Sequence, residues 1–260
     1  MPKSVGERGR DNAQFPIPIT MAFQPIVDIK TGRAFAHEAL VRGVDGAGAA
    51  QVLGHLTPGN RWAFDEACRV KSVELAGALG LGAPGEDALL SINFLPNAVV
   101  DPAGSVASTL EAAERAGLAP GRILFEFTEH EPIEPGHLQS ILKTYRAMGF
   151  QTAIDDFGAG YSGLSLLSQF QPDIVKLDMG LVRCLDLDRV KRTIVAHIVR
   201  LSADLGVTVV AEGIETVGEY ETLVDLGVTL FQGYLFARPT FEGLSPINWP
   251  SITAPESRAA

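Results

Sequence analysis

The chain has 260 residues, 46% hydrophobic and 20% charged, which is ordinary globular composition and enough for one barrel of about 250 residues or two small domains. Its net charge of −10 excludes a basic nucleic-acid groove, so neither DNA nor RNA is an expected partner, and an anionic substrate would need a cation or a few placed Lys and Arg residues. No run of ~18 apolar residues and no signal-peptide core occur, and Cys68 and Cys184 form no CxxC pair, so the expectation is no membrane span and a cytoplasmic location.

Residues 1–19 read as a flexible, Pro-spaced arm, 20–245 as a single barrel domain and 246–260 as a polar tail. The segment Ala22 to Ile29 reads as a strand, Lys30 to Arg33 as a turn and Ala34 to Val41 as a second strand. So short a turn makes these two antiparallel, because a parallel pair needs a long crossover. Helices and short apolar strands then alternate. Arg61 to Leu79 reads as a helix, Ala88 to Asn93 as a strand, Ser105 to Ala116 as a helix and Arg122 to Thr128 as a strand. His137 to Met148 reads as a helix and Thr152 to Asp155 as a strand running into Asp156 and a loop with Gly158, Gly160 and Gly163. After a short helix from Leu164 to Phe170 come a strand from Asp173 to Leu177 and a helix from Arg189 to Leu205. A strand from Val207 to Glu212, a helix from Thr216 to Leu226 and a strand from Leu230 to Tyr234 complete the series. Eight strands without a composition break favour a TIM-like (β/α)8 barrel with one antiparallel strand near the N-terminus. The alternative is an open doubly wound sheet, but no GxGxxG follows an early strand and no P-loop occurs.

The chemistry gathers at strand ends. Glu38, Asn93, Glu126, Asp155 with Asp156, Lys176, Glu212 and Gln232 all fall at or near the C-terminal end of a predicted strand, the face where such barrels build their sites. Successive strand residues point to opposite faces, so Asp155 and Asp156 can converge only where the chain leaves the sheet. Taken alone, the two aspartates fit a metal site or a solvated turn equally well. Taken with the other strand ends, an oxygen-rich set without any of the five histidines suits Mg2+ or Mn2+ better than zinc. Its carboxylate count suggests two ions, a template for displacement at phosphorus. Lys176, beside metals and buried, would have a lowered pKa and could accept a hydrogen bond or proton from a water.

The ordered motifs carry a resemblance. Gln24-Pro25-Ile26-Val27-Asp28, Glu38-Ala39-Leu40 with Arg42, Ser91-Ile92-Asn93-Phe94-Leu95-Pro96 and Glu126-Phe127-Thr128-Glu129 come first. Asp155-Asp156-Phe157-Gly158-Ala159-Gly160-Tyr161-Ser162, Lys176-Leu177-Asp178, Ala211-Glu212-Gly213-Ile214-Glu215-Thr216 and Gln232-Gly233-Tyr234 follow. Together they resemble the EAL-domain phosphodiesterases of bacterial cyclic di-GMP signalling, over about residues 20–242. The resemblance implies hydrolysis of cyclic di-GMP to linear pGpG, with Mg2+ or Mn2+ (two ions) required and Ca2+ inhibitory. It implies that Glu38, Asn93, Glu126 and Asp155 hold one ion and that Asp155, Asp156 and Glu212 serve the second. Lys176 would contact the nucleophilic water. Arg42, Gln24, Asp178 and Gln232 would meet substrate. Glu129 would brace the loop after the aspartates, and Glu215 would support the site. The loop after Asp156 and its neighbouring helix would form a homodimer interface, and a regulatory protein partner would supply control. Phe94-Leu95 and Ser162-Gly163 depart from the commoner family residues without removing a ligand. Two other readings stay open: a barrel that binds cyclic di-GMP or a partner without cleaving anything, and a hydrolase of some other phosphodiester.

Overall fold

The strands β1 (Ile19–Asp28) and β2 (Arg33–Gly43) pair antiparallel, with Gln24 opposite Glu38. They belong to a computed structural model that describes residues 14–128, 133–160 and 163–250. Both strands run further than the apolar pattern suggests, because the ladder continues through Ile19 opposite Gly43 and Thr20 opposite Arg42. The parallel strands β3 (Leu89–Asn93), β4 (Ile123–Thr128), β5 (Gln151–Phe157), β6 (Ile174–Leu177), β7 (Thr208–Ala211) and β8 (Leu230–Phe231) follow in spatial order from β2. β8 then pairs antiparallel with β1, which closes an eight-stranded mixed barrel. A ninth strand, β9 (Thr240–Phe241), adds to β1 outside that ring. It is not visible in the sequence, since two residues after Arg238-Pro239 carry no alternation.

The long helices α2 (Arg61–Ala78), α4 (Ala107–Ala116), α5 (Pro135–Ala147), α6 (Gly163–Gln169), α8 (Arg189–Asp204) and α9 (Val217–Asp225) lie where the periodicity places them. Three short helices were not expected: α1 (Ala49–Leu53), α3 (Pro102–Ser105) and α7 (Met179–Val182). α3 precedes α4, which takes up nearly all of the helix expected from Ser105 to Ala116, and Asp101 caps α3 through Gly104 N. No helix among the described residues is long and apolar enough to cross a membrane. Outside the barrel proper, Phe15 packs its ring 4.7 Å from that of Phe64, and Trp249 lies 6.1 Å from Phe236.

The core has two parts. Most apolar side chains pack between the strands and the helices. The barrel interior holds a separate layer of one residue per strand: Ile26, Ala36, Leu89, Leu124, Ala153, Ile174, Val210 and Leu230. Strand side chains facing one side recur every second residue. The step toward the C-terminal face therefore runs two residues forward on each parallel strand and two residues back on antiparallel β1. It lands on Gln24, Glu38, Ser91, Glu126, Asp155, Lys176, Glu212 and Gln232. An apolar plug thus supports a polar layer whose composition follows from strand register alone.

Candidate active site

Lys176 Nζ stands among four carboxylates. It lies 2.7 Å from Glu212, 2.9 Å from Glu126, 3.1 Å from Asp155 and 3.4 Å from Glu38. Two amides fix Glu38 from other strands: Asn93 Nδ2 donates to its Oε1 at 2.9 Å, and Gln232 Nε2 donates to its Oε2 at 2.7 Å. Gln24 donates to the Ala237 carbonyl at 3.0 Å and accepts from Gln232 at 3.4 Å. The layer is buried apart from the partly exposed Glu212, and Glu126 and Lys176 have no exposure.

The adjacent aspartates meet through a break in register rather than at the strand's end. β5 continues to Phe157, with Ile154 opposite Val175 and Phe157 opposite Leu177, so β5 has an extra residue between paired positions. Such a bulge re-aims a side chain. Asp156 takes φ +53, in the left-handed region that aspartate tolerates better than most residues. Carboxylate oxygens of Asp155, Asp156 and Glu212 consequently lie within 4.8 Å of one another, as do those of Glu38, Glu126 and Asp155. Asp155 belongs to both sets.

Asn93 is held by structure that the sequence does not announce. Behind it, Asp65 and Arg69 of α2 form a buried ion pair, and Asp65 Oδ1 accepts from Leu95 N at 2.7 Å. Arg69 donates to the Ser105 carbonyl at 2.6 Å and to Thr109 at 3.3 Å. Phe94 packs against Phe125, Phe127 and Tyr145. In sequence, Asp65 and Arg69 look like an exposed i,i+4 helix pair.

The lowered Lys176 pKa expected beside bound metals is a different case from the electrostatics of the chain's own residues. Burial alone would depress the Lys176 ammonium, but Asp155, Glu126, Glu212 and Glu38 together hold it well above its ordinary value. The chain's own charges therefore keep this lysine protonated. Burial pushes Glu126 up to about 8, with Glu38 and Asp155 adding repulsion against the pull of Lys176. Burial and Asp155 likewise push Glu212 well up. Four carboxylates against one ammonium leave an excess of buried negative charge, which is costly unless a cation joins them. Glu126 Oε1 is buried with no hydrogen-bond partner, and Glu126 belongs to the carboxylate set with Glu38 and Asp155. An orphaned carboxylate oxygen among other carboxylates, with no histidine or thiolate, fits a hard divalent cation. Metal binding must displace the protons on Glu126 and Glu212. Mn2+ affinity should therefore rise as pH increases from about 5, by up to about tenfold per pH unit per displaced proton, with the Glu126 contribution levelling off near pH 8. Thermal shifts measured across that range check this, and a pH-independent shift would contradict it.

A cleft of about 450 Å3 opens over the layer, with Glu38, Asp156, Glu212, Gln24 and Gln232 in its wall. Asp178 and Glu215 also line it, but neither joins the carboxylate sets. Asp178 caps α7 through Gly180 N at 2.8 Å, and Glu215 pairs with Arg183 Nη2 at 2.6 Å. Arg42 turns back to donate to its own strand's Val41 carbonyl at 2.7 Å and is not among the lining residues. Glu129 lies outside the described residues, as do Tyr161 and Ser162 of the loop. Sequence reasoning missed Ser91, which the two-residue step from Leu89 would have found, and the cleft residues Met179, Arg183 and Tyr234, which sit beyond strand ends.

A family model described as "EAL domain" matches residues 18–239. The chain belongs to the EAL-domain family. Among solved structures, this EAL domain is similar to the c-di-GMP bound form of a standalone versatile EAL protein from Vibrio cholerae O395. That match has 46% identity and a TM-score of 0.85, covering 90% of this chain and 97% of the other. It is similar as well to a manganese/cy-diGMP complex of Klebsiella pneumoniae BlrP1, with 40% identity, a TM-score of 0.83, and 90% and 59% of the two chains covered. Another structure of BlrP1 is a calcium/cy-diGMP complex. The blue light- and temperature-regulated antirepressor BluF of Escherichia coli is 34% identical over 230 residues, 88% of this chain and 56% of BluF. The chain thus spans about half the length of that curated relative.

Proposed function

We propose that this EAL domain is a metal-dependent phosphodiesterase that opens cyclic di-GMP to linear pGpG. The observation that carries the reading is Asp155, shared between two carboxylate sets, one of which includes Glu126, a residue with an orphaned oxygen. Glu38, Asn93, Glu126 and Asp155 would hold one Mg2+ or Mn2+, and Asp155, Asp156 and Glu212 a second. Bound there, the ions would supply an acidified water and offset charge developing on the phosphoryl oxygens. The chain's part is orientation. Gln232 and Asn93 keep Glu38 in place, and Lys176 Nζ would contact the attacking water. Arg42 and Asp178 would meet the substrate, and Glu129 would brace the loop after the aspartates. Ca2+, with longer and looser oxygen coordination, should support binding but not turnover.

A second reading, a binding module that does not cleave, draws on the antirepressor name of the E. coli relative. Calorimetry in Ca2+ beside product analysis in Mn2+ separates the two. An enzyme binds in the first and yields pGpG in the second, whereas a binding module binds in both and yields nothing.

The dimer belongs to the same proposal. Leu164, Val190 and Ile194 are exposed, and a groove beside the loop after Asp156 is lined by Gly158, Leu164, Ile194 and Leu201. A second copy covering this face would explain apolar side chains in water. Sedimentation at micromolar concentration should give a dimer, and Ile194→Asp should give a monomer; a monomeric parent would overturn the assignment.

A further inference from the structure

Asn93 is the uncharged member of the set proposed to hold the first ion, and it ends β3 where the chain leaves the sheet. We infer that Asp65 of α2 is a positioning residue for that metal site: its carboxylate, paired with Arg69, holds the Leu95 N–H and thereby fixes where Asn93 presents its amide. The inference rests on the proposed metal site, with Asn93 as a ligand.

The segment after Asn93 has few ties. Phe94 N donates to the Glu126 carbonyl at 2.9 Å, which keeps it beside β4. Leu95 N then donates to Asp65 Oδ1 at 2.7 Å instead of to a neighbouring strand, and Pro96 has no N–H to give. A cavity of about 290 Å3 borders Asn93, Leu95, Pro96 and Asp65. Side chains facing a void lack contacts that would resist a shift, so the bond to Asp65 is the directional tie on that side. Asn93 Nδ2 donates to Glu38 at 2.9 Å, and that leaves Oδ1 as the atom to face an ion. A moved backbone would lose one of these two alignments.

Asp65 is itself held from behind. Its Oδ2 pairs with Arg69 one helical turn on, and both side chains are buried. Arg69 donates to the Ser105 carbonyl and to Thr109, which ties α2 to α3 and α4. Ser105 Oγ lies 3.5 Å from the Tyr145 hydroxyl, and the Tyr145 ring packs 5.5 Å from that of Phe94. The network so returns to the residue between Asn93 and Leu95. For stability alone, a buried ion pair often does no better than apolar side chains of similar volume. What apolar side chains cannot supply is an acceptor for Leu95 N. Groups one step behind a metal ligand orient it, and losing them typically lowers metal affinity about 10- to 100-fold.

The test compares two variants that both remove the ion pair and differ in one acceptor. Asp65→Asn/Arg69→Met keeps an oxygen for Leu95 N, whereas Asp65→Leu/Arg69→Met does not. Calorimetric titration with Mn2+ should give parent-like affinity in the first and affinity about tenfold or more weaker in the second. Adding Asp65→Leu/Arg69→Met to Asn93→Ala should weaken Mn2+ binding no further, because the effect travels through Asn93. Urea denaturation of the metal-free proteins should show every variant folded in the absence of urea. Equal affinity in the two double variants would overturn the inference, whether both match the parent or both fall. A further loss in the Asn93→Ala background, or a loss confined to unfolded protein, would overturn it too. Product analysis with cyclic di-GMP reads the phosphodiesterase proposal on its own. A parent that binds Mn2+ but leaves cyclic di-GMP intact contradicts that proposal alone, and a parent that binds no Mn2+ contradicts both.

Discussion

Lys176→Met should leave the metal-free protein about 3–5 kcal/mol less stable at neutral pH, the usual cost of removing one partner from a buried ionic cluster. Four carboxylates, Glu38, Glu126, Asp155 and Glu212, then lose the cation that all of them touch. The pH dependence has a definite sign. Glu126 and Glu212 already have pKa values raised above their unfolded values, so the folded state binds protons that the unfolded state releases. Stability is present at low pH and is lost as pH rises, through the window from about 4.5 to 8 for Glu126, at up to about 1.4 kcal/mol per pH unit per proton. Removing Lys176 takes away the one attraction that lowers both values. The variant's deficit should therefore widen as pH increases from 5 to 8, and Mn2+ should restore its fold without restoring turnover. Urea denaturation at several pH values checks this. A deficit independent of pH, or full turnover in Mn2+, would show that Lys176 plays another part.

Asp155→Asn should have the opposite effect on stability and a larger one on activity. The substitution keeps the side chain's shape and removes one of the repelling charges, while Lys176 retains Glu38, Glu126 and Glu212. The metal-free variant should be at least as stable as the parent. Both carboxylate sets lose their shared member, however, so the stabilisation by Mn2+ should disappear. If the ions supply even about 4 kcal/mol of transition-state stabilisation, turnover of cyclic di-GMP should fall by about a thousandfold. Thermal shifts with and without Mn2+, beside single-turnover kinetics, give both numbers. Parent-like kinetics, or a metal-free variant that is markedly less stable, would contradict the arrangement.

The barrel and its polar layer were legible because they depend on period and direction. An alternation of two places Glu126 above Leu124, Lys176 above Ile174 and Gln232 above Leu230, and the short first turn reverses the sense so that Gln24 stands with Glu38. What was not legible depends on backbone angles or on loops. The bulge at Asp155 and Asp156 needs a φ of +53 that no residue pattern announces. The protonation of Lys176 follows from counting four carboxylates around one nitrogen, which requires the closed ring. Arg183 and Tyr234 stand on turns beyond strand ends, where a search restricted to strand termini does not look. The pair of Asp65 and Arg69 is indistinguishable in sequence from a surface helix pair until Leu95 and Ser105 are seen to receive it.

On the proposed function, the buried acidic layer holds metal for hydrolysis of cyclic di-GMP. The most direct test is the product formed from cyclic di-GMP by the purified parent in Mn2+, read by chromatography before chelation, after chelation and after Mn2+ is returned. The prediction is linear pGpG, abolished by the chelator and recovered with Mn2+. Intact cyclic di-GMP in the presence of saturating Mn2+, or turnover that survives chelation, would contradict it.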